Sequence, residues 1–182
     1  MGKNILRSEL LRSLNALSSD KIQDLSFSVT NQIIKLLKMF PELTSQIGAG
    51  YLPIQAEIAP VYQELLRAIP VTLAYPIAKG DAMSFAIPNG MPRGEIWLER
   101  PYHEVTPDWL FIPGLGFGLD GKRLGRGKGY YDRYLENSKA MKMGIAWSKQ
   151  LSEKIPVESH DCHMDFIITD KFCWDVKQQV KF

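Results

Sequence analysis

The segment Asp108–Phe117, DWLFIPGLGF, constrains the fold more than any other stretch of the chain. An apolar run closed by glycine reads as a strand that ends in a turn. What surrounds it must be built of elements that can cover a strand of this kind. QIGAGYLP looks like a second buried strand, VTLAYP, MSFAIP and EIWLERP like further ones, and MKMGIAWS and DFIIT like two late ones. Leu6, Leu10, Leu14 and Leu17 recur at helical spacing. A second helix is expected to start near Asp20, which would cap it while Gln23 reaches back. Its buried stripe is Ile22, Leu25, Val29, Ile33 and Leu37, and Pro41 follows its end. EIAPVYQELLRAI reads as a helix with Pro60 in its first turn, and YYDRYLENS as one beginning near Gly129. Strands alternating with helices predict a layered α/β fold with a mostly parallel central sheet.

The chain of 182 residues suits one domain, 1–182. Charges interrupt the apolar residues of MGKNILRSELLRSLNAL, which does not suit a signal peptide, and no apolar run approaches the length of a membrane span. Cys162 and Cys173 are the only cysteines and form no C-x-x-C pair, which fits a reducing cytoplasm. A net charge of +2 excludes a polycation built for nucleic acid. Basic character is local instead.

It gathers in Pro113–Arg133, PGLGFGLDGKRLGRGKGYYDR, where seven glycines are set among Lys122, Arg123, Arg126, Lys128 and Arg133. In open α/β sheets ligands collect outside the carboxyl ends of strands, and both this segment and Glu57 follow such ends. Gly116, Gly118 and Gly121 satisfy G-x-G-x-x-G, but KRLGRGKG follows where a dinucleotide motif should open a helix. Gly116–Lys122 fits most of a P-loop, but Arg123 stands where a hydroxyl should hold magnesium. The stronger signal is RLGRGKGYYDR. Glycines let backbone amides turn towards an anion, and Arg123, Arg126 and Lys128 supply charge-assisted hydrogen bonds to phosphate oxygens. Gly129 at a helix start adds free amides, Tyr130 and Tyr131 offer flat rings, and Asp132 suits a divalent metal bound to the same phosphates.

IPGLGFGLDGKRLGRGKGYYDRYL resembles the signature of the 5-formyltetrahydrofolate cyclo-ligase family. KNILR resembles that family's N-terminal Lys and Arg pair, YLPIQAEI its strand end with a folate-contacting glutamate, and HDCHMDFIIT its late segment with a metal-binding aspartate. The resemblance covers nearly the whole chain, with only a loose match from Gly80 to Asp108. One departure is clear: the family has Asp after Gly-Phe where this chain has Gly118, with Asp120 nearby.

What the resemblance implies is a three-layer α/β/α, Rossmann-like fold and an ATP- and magnesium-dependent ring closure on 5-formyltetrahydrofolate. Lys3, Arg7, Arg123, Leu124, Gly125, Arg126, Gly127, Lys128, Gly129, Tyr130 and Tyr131 would meet ATP. Leu52 and Glu57 would meet the folate together with Arg126, Gly127, Lys128, Gly129 and Tyr130. Arg126 and Lys128 would be catalytic, and Asp132 and Asp161 would hold Mg2+. The partners are then small molecules alone, with no nucleic acid and no membrane, in a cytoplasmic monomer or weak dimer. Two other classes compete for the same residues: a single-stranded RNA contact built on Tyr130 and Tyr131, and a kinase or phosphatase acting on another metabolite. His160, Cys162 and His163 match no common zinc spacing.

Overall fold

The computed structural model describes residues 2–89, 102–153, 155 and 163–182; the expected strand EIWLERP, with His160, Asp161 and Cys162, lies outside them. Helix α1 (Lys3–Asn15) starts without a side-chain cap and without an acidic residue in its first turn. Cations at that end oppose the helix dipole, so packing must hold it. Leu14 enters the main core, and Leu6 joins Leu124 and Ile155 in a smaller cluster. Helix α2 (Ser19–Met39) is capped by Ser18, whose hydroxyl accepts from the Lys21 amide, rather than by Asp20. Asp20 sits in the first turn, where its charge favours the dipole.

Strand β1 (Ile47–Ala49) leads into an irregular stretch, and α3 (Tyr62–Ala68) begins only after Val61. Pro60 therefore precedes this helix instead of opening it. The buried hydroxyls of α2 explain the difference: Thr30 accepts from the Val61 amide at 2.8 Å and Ser26 from the Ala59 amide at 3.4 Å. Pro60, between them, has no amide to satisfy. β2 (Thr72–Lys79) and β3 (Ala82–Pro88) form a hairpin, followed by β4 (Tyr102–Val105) and β5 (Trp109–Pro113). The glycine-rich segment then supplies β6 (Gly116–Gly118), β7 (Arg123–Leu124) and α4 (Tyr130–Glu136). β8 (Met141–Ile145), β9 (Leu151–Ser152), β10 (Phe166–Ile168), β11 (Cys173–Asp175) and β12 (Val180–Lys181) complete the described elements.

Among the described residues nine strands form one sheet in the order β12-β11-β10-β8-β5-β1-β2-β3-β4. Pairing is parallel from β2 through β1, β5 and β8 to β10, and antiparallel at both flanks. The mostly parallel sheet expected from strand–helix alternation is thus the centre of a mixed one. β5 lies in that centre, and its successive side chains enter opposite cores. Trp109 and Phe111 pack with α1, α2 and α3; Leu110 and Ile112 pack with Leu135 of α4. Cys173 is a buried free thiol whose pKa burial pushes up to about 12.

A smaller sheet, β7-β6-β9, stands beside the large one. Here the glycines do something neither familiar motif requires. Gly116 and Gly118 are buried in a β-hairpin strand, and Gly121 turns back towards it with its amide on the Gly118 carbonyl. Phe117 is fully buried, and its ring lies against bare backbone of β8: a methyl on Gly144 would begin 2.5 Å from it. That contact seats the small sheet on the large one. Gly144→Ala should cost roughly 1–3 kcal/mol by overpacking. A thermal melt should show Tm lower by about 2–4 °C per kcal/mol. An unchanged Tm would show that Phe117 is not seated there.

Candidate functional site

The five parallel strands run in the order β2-β1-β5-β8-β10, so the chain leaves β1 to one side and returns on the other with β5. Such a reversal leaves a crevice between the carboxyl ends of the two strands. A cleft of about 720 Å³ occupies that place. Its floor comes from Tyr51 and Leu52 beyond β1 and from Pro113 and Gly114 at the end of β5. The loop 125–129 and the start of α4 form one wall.

Residues 50–61 have no regular structure, and tyrosines shape them. The buried Tyr51 hydroxyl donates to the Ile58 carbonyl, while the Tyr62 hydroxyl bonds both the amide and the carbonyl of Tyr51 at 2.8 Å. Burial raises the pKa of both phenols well above its ordinary value, so they serve as neutral donors. The stretch between them is held so that Glu57 reaches the cleft. Glu57 Oε1 accepts from Arg126 Nε at 2.7 Å, and Oε2 accepts from the Ile54 amide at 3.0 Å. The pair is largely shielded, with Glu57 9% and Arg126 22% exposed at the side chain. Expected folate contact and expected phosphate contact therefore touch each other.

Arg123, read from sequence as a phosphate cation, is committed to protein acceptors. It is buried, donating through Nη1 to the Pro113 carbonyl and through Nη2 to Asp132 Oδ1, each at 2.8 Å. Its guanidinium also lies 5.5 Å from the centre of the Tyr131 ring. Tyr131 is half-buried, and burial raises its pKa while Arg123 opposes the rise. Lys128 is exposed on the cleft wall, and its ammonium makes no hydrogen bond or ion pair among the described residues. Positive φ values of 98° at Gly127 and 70° at Gly129 carry the loop past it. A side chain would strain either position.

Arg7 Nε donates to the Gly125 carbonyl at 3.2 Å, so the first helix is docked on the loop. Leu11 and Asn15, each one helical turn further on, line the cleft. Lys3 and Arg7 do not line it, although Lys3 shares their helical face. The Leu124 side chain is buried with Leu6 and Ile155, which leaves only its backbone to meet a ligand. Asp132 lines the cleft and keeps Oδ2 outside the Arg123 bond. Asp120 folds over bare Gly118, so its carboxylate fills the space where a side chain at 118 would begin. Burial works against its charge, but hydrogen bonds from Lys122, with Nζ at 2.8 Å, hold its carboxyl below the usual value.

Pro76, Ala78 and Met83 form an apolar wall that sequence reasoning missed. Their signal is period two, since Pro76 and Ala78 share a face of β2 and Ala78 is paired with Met83 on β3. The tip of this hairpin is tied to α4: Arg133 donates twice to the Asp81 carbonyl, and Tyr130 donates to the Gly80 carbonyl at 3.2 Å.

The sequence profile of the 5-formyltetrahydrofolate cyclo-ligase family matches residues 1–170. A mouse 5-formyltetrahydrofolate cyclo-ligase is 46% identical over 91% of this chain and 92% of its own. One from Mycoplasma pneumoniae is 30% identical over 94% of this chain and 100% of its own. Among solved structures, a 5,10-methenyltetrahydrofolate synthetase from Mycoplasma pneumoniae superposes with a TM-score of 0.77 at 31% identity, covering 93% of this chain and 99% of that one. The NMR structure of the Aquifex aeolicus 5,10-methenyltetrahydrofolate synthetase gives 0.75 at 29% identity, covering 97% and 94%. Sequence and fold agree along nearly the whole length, and the chain belongs to the 5-formyltetrahydrofolate cyclo-ligase family and is a ligase.

Proposed function

We propose that the protein uses ATP to close 5-formyltetrahydrofolate to 5,10-methenyltetrahydrofolate, releasing ADP and phosphate through a phosphorylated formyl intermediate. The observation that carries the reading is the 2.7 Å contact between Glu57 and Arg126 in one cleft. It puts a carboxylate able to accept paired hydrogen bonds from a pterin beside a guanidinium able to meet a phosphate. A formyl group on a folate held beside Glu57 would lie near a phosphoryl group met by Arg126.

In the first step the formyl oxygen attacks the γ-phosphorus, a P–O bond forms, and the bond to ADP breaks. Nitrogen 10 of the same folate then attacks the formyl carbon, its proton leaves to solvent, and the C–O bond to phosphate breaks as the ring closes. Phosphoryl transfer depends on alignment and charge neutralisation more than on covalent help. Arg126 and Lys128 neutralise the transferring oxygens, and the loop Gly125–Gly129 admits the triphosphate close to backbone. Leu124 contributes through its own backbone. Arg123 keeps Asp132 and Tyr131 in place from behind the loop. Lys3 and Arg7 bring the first helix over the nucleotide. Leu52 and Tyr130 pack on the folate beside Glu57.

Mg2+ is a hard cation commonly held by one or two carboxylates plus substrate phosphates, and Oδ2 of Asp132, which lies outside the Arg123 bond and has no partner among the described residues, suits that role. Asp132, with Asp161, would hold it, and it would supply charge neutralisation at the phosphate oxygens. We read the whole chain, 1–182, as one three-layer α/β/α, Rossmann-like domain acting in the cytoplasm as a monomer or weak dimer. No helix among the described residues is long and apolar enough to cross a membrane. Small molecules are its proposed partners. Against the RNA reading, Arg123 and Arg133 already lie over the rings of Tyr131 and Tyr130, which a stacked base would need.

The purified protein with ATP and magnesium should turn over 5-formyltetrahydrofolate to a product that absorbs in the near ultraviolet. No gain in absorbance at ample enzyme would end the cyclo-ligase proposal. Lys128→Ala should lower kcat/KM for ATP roughly ten- to a hundredfold, since a hydrogen bond to a charged group contributes about 1.5–3 kcal/mol. Unchanged turnover would remove Lys128 from the nucleotide site. In Glu57→Ala the folate KM should rise far more than the ATP KM, and the opposite order would count against a pterin contact at Glu57.

A further inference from the structure

Ile54–Glu57 is a tight turn closed in both directions, with the Glu57 amide on the Ile54 carbonyl and the Ile54 amide on Glu57 Oε2. Gln55 holds its second position at φ 53°. Positive φ there belongs to the mirror-image turns, which glycine, asparagine and aspartate favour. A longer side chain is unusual in that region because its Cβ crowds the backbone. Only Gln179 shares this property among the non-glycine described residues. An unfavoured residue in a site needs a reason in what its side chain does.

The side chain reaches the cleft cation. Gln55 Oε1 accepts from Arg126 Nη1 at 2.9 Å. The same guanidinium donates through Nε to Glu57 and through Nη2 to the Ile54 carbonyl at 3.4 Å. One turn thus offers three acceptors to three different nitrogens of a planar group, which fixes both its plane and its rotation. A guanidinium has five N–H donors, so two are left for a ligand.

We propose that Gln55 is a positioning residue for Arg126, the third point of a cradle that aims the guanidinium into the cleft. The proposal rests on Arg126 acting on the substrates as read above. Glutamine suits the task on two counts. Its neutral amide orients the cation without adding a second negative charge beside the one that Glu57 already supplies. Asparagine, more at ease with positive φ, is one methylene shorter.

The test compares Gln55→Gly with Gln55→Glu. Gln55→Gly relieves the backbone and removes the acceptor, so Tm should stay level or rise while kcat falls on the order of tenfold. Gln55→Glu keeps an acceptor of the same reach but adds a negative charge. Its kcat should lie nearer the wild-type value and its KM for ATP should rise. Wild-type kcat and KM in Gln55→Gly would overturn the proposal, as would a loss of activity that appears only together with a lower Tm. A second readout does not need turnover: the Arg126 Nε–H signal in 15N NMR, assigned through Arg126→Lys, should be protected from exchange in the wild type and lose protection in Gln55→Gly. Equal exchange in the two proteins would overturn the cradle. Absence of methenyl product from the wild type would strike the functional reading, leaving the exchange measurement to judge the cradle by itself.

Discussion

The buried guanidinium of Arg123 closes the glycine-rich segment on itself. One nitrogen holds the carbonyl of Pro113 where β5 ends, and another holds Asp132 where α4 begins. A buried charge without partners is costly, and removing either partner would leave one. The bond pair therefore fixes both ends of a segment that would otherwise have little side-chain bulk to hold it. Everything in the site follows from that closure: the hairpin β6–β7 folds beneath it, and the loop 125–129 projects from it into the cleft.

Topology chooses where the closure happens. Because the strand order reverses between β1 and β5, the carboxyl ends of these two strands flank a gap that no crossover helix fills. The turn carrying Gln55 and Glu57 enters that gap from one side, and the arginine loop enters it from the other. The first helix completes the arrangement through Arg7 and the Gly125 carbonyl. That helix starts without an acidic residue to favour its dipole, and the Arg7 bond to the loop is one of the contacts that hold it.

Much of this was legible in the amino-acid sequence, and the misses have physical causes. DWLFIPGLGF reads as a strand because a fully buried strand needs a continuous apolar run, and β5 is one. The glycine and cation alternation of RLGRGKG marks the loop because few other compositions put charge so close to bare backbone. The same reasoning takes the arginines in such a run to face a ligand and could not foresee the Asp132 partner of Arg123, which the fold brings from the start of α4. The hairpin wall of Pro76, Ala78 and Met83 carries no reactive group and so raised no signal. β11 and β12, at three and two residues, are too short for any period to show. Ser18 displaced Asp20 as a cap because either residue satisfies the local chemistry, and only the path of the incoming chain decides.

The ties from Arg133 and Tyr130 to Asp81 and Gly80 bear on how the protein breathes. Arg133 also holds the Lys128 carbonyl, so hairpin tip, loop and helix start share one side chain as a common rivet. The tip cannot swing as a separate flap while those bonds last. Residues 80–81 and 128–133 should then behave as one cooperative opening unit, rising and falling together rather than fraying in turn.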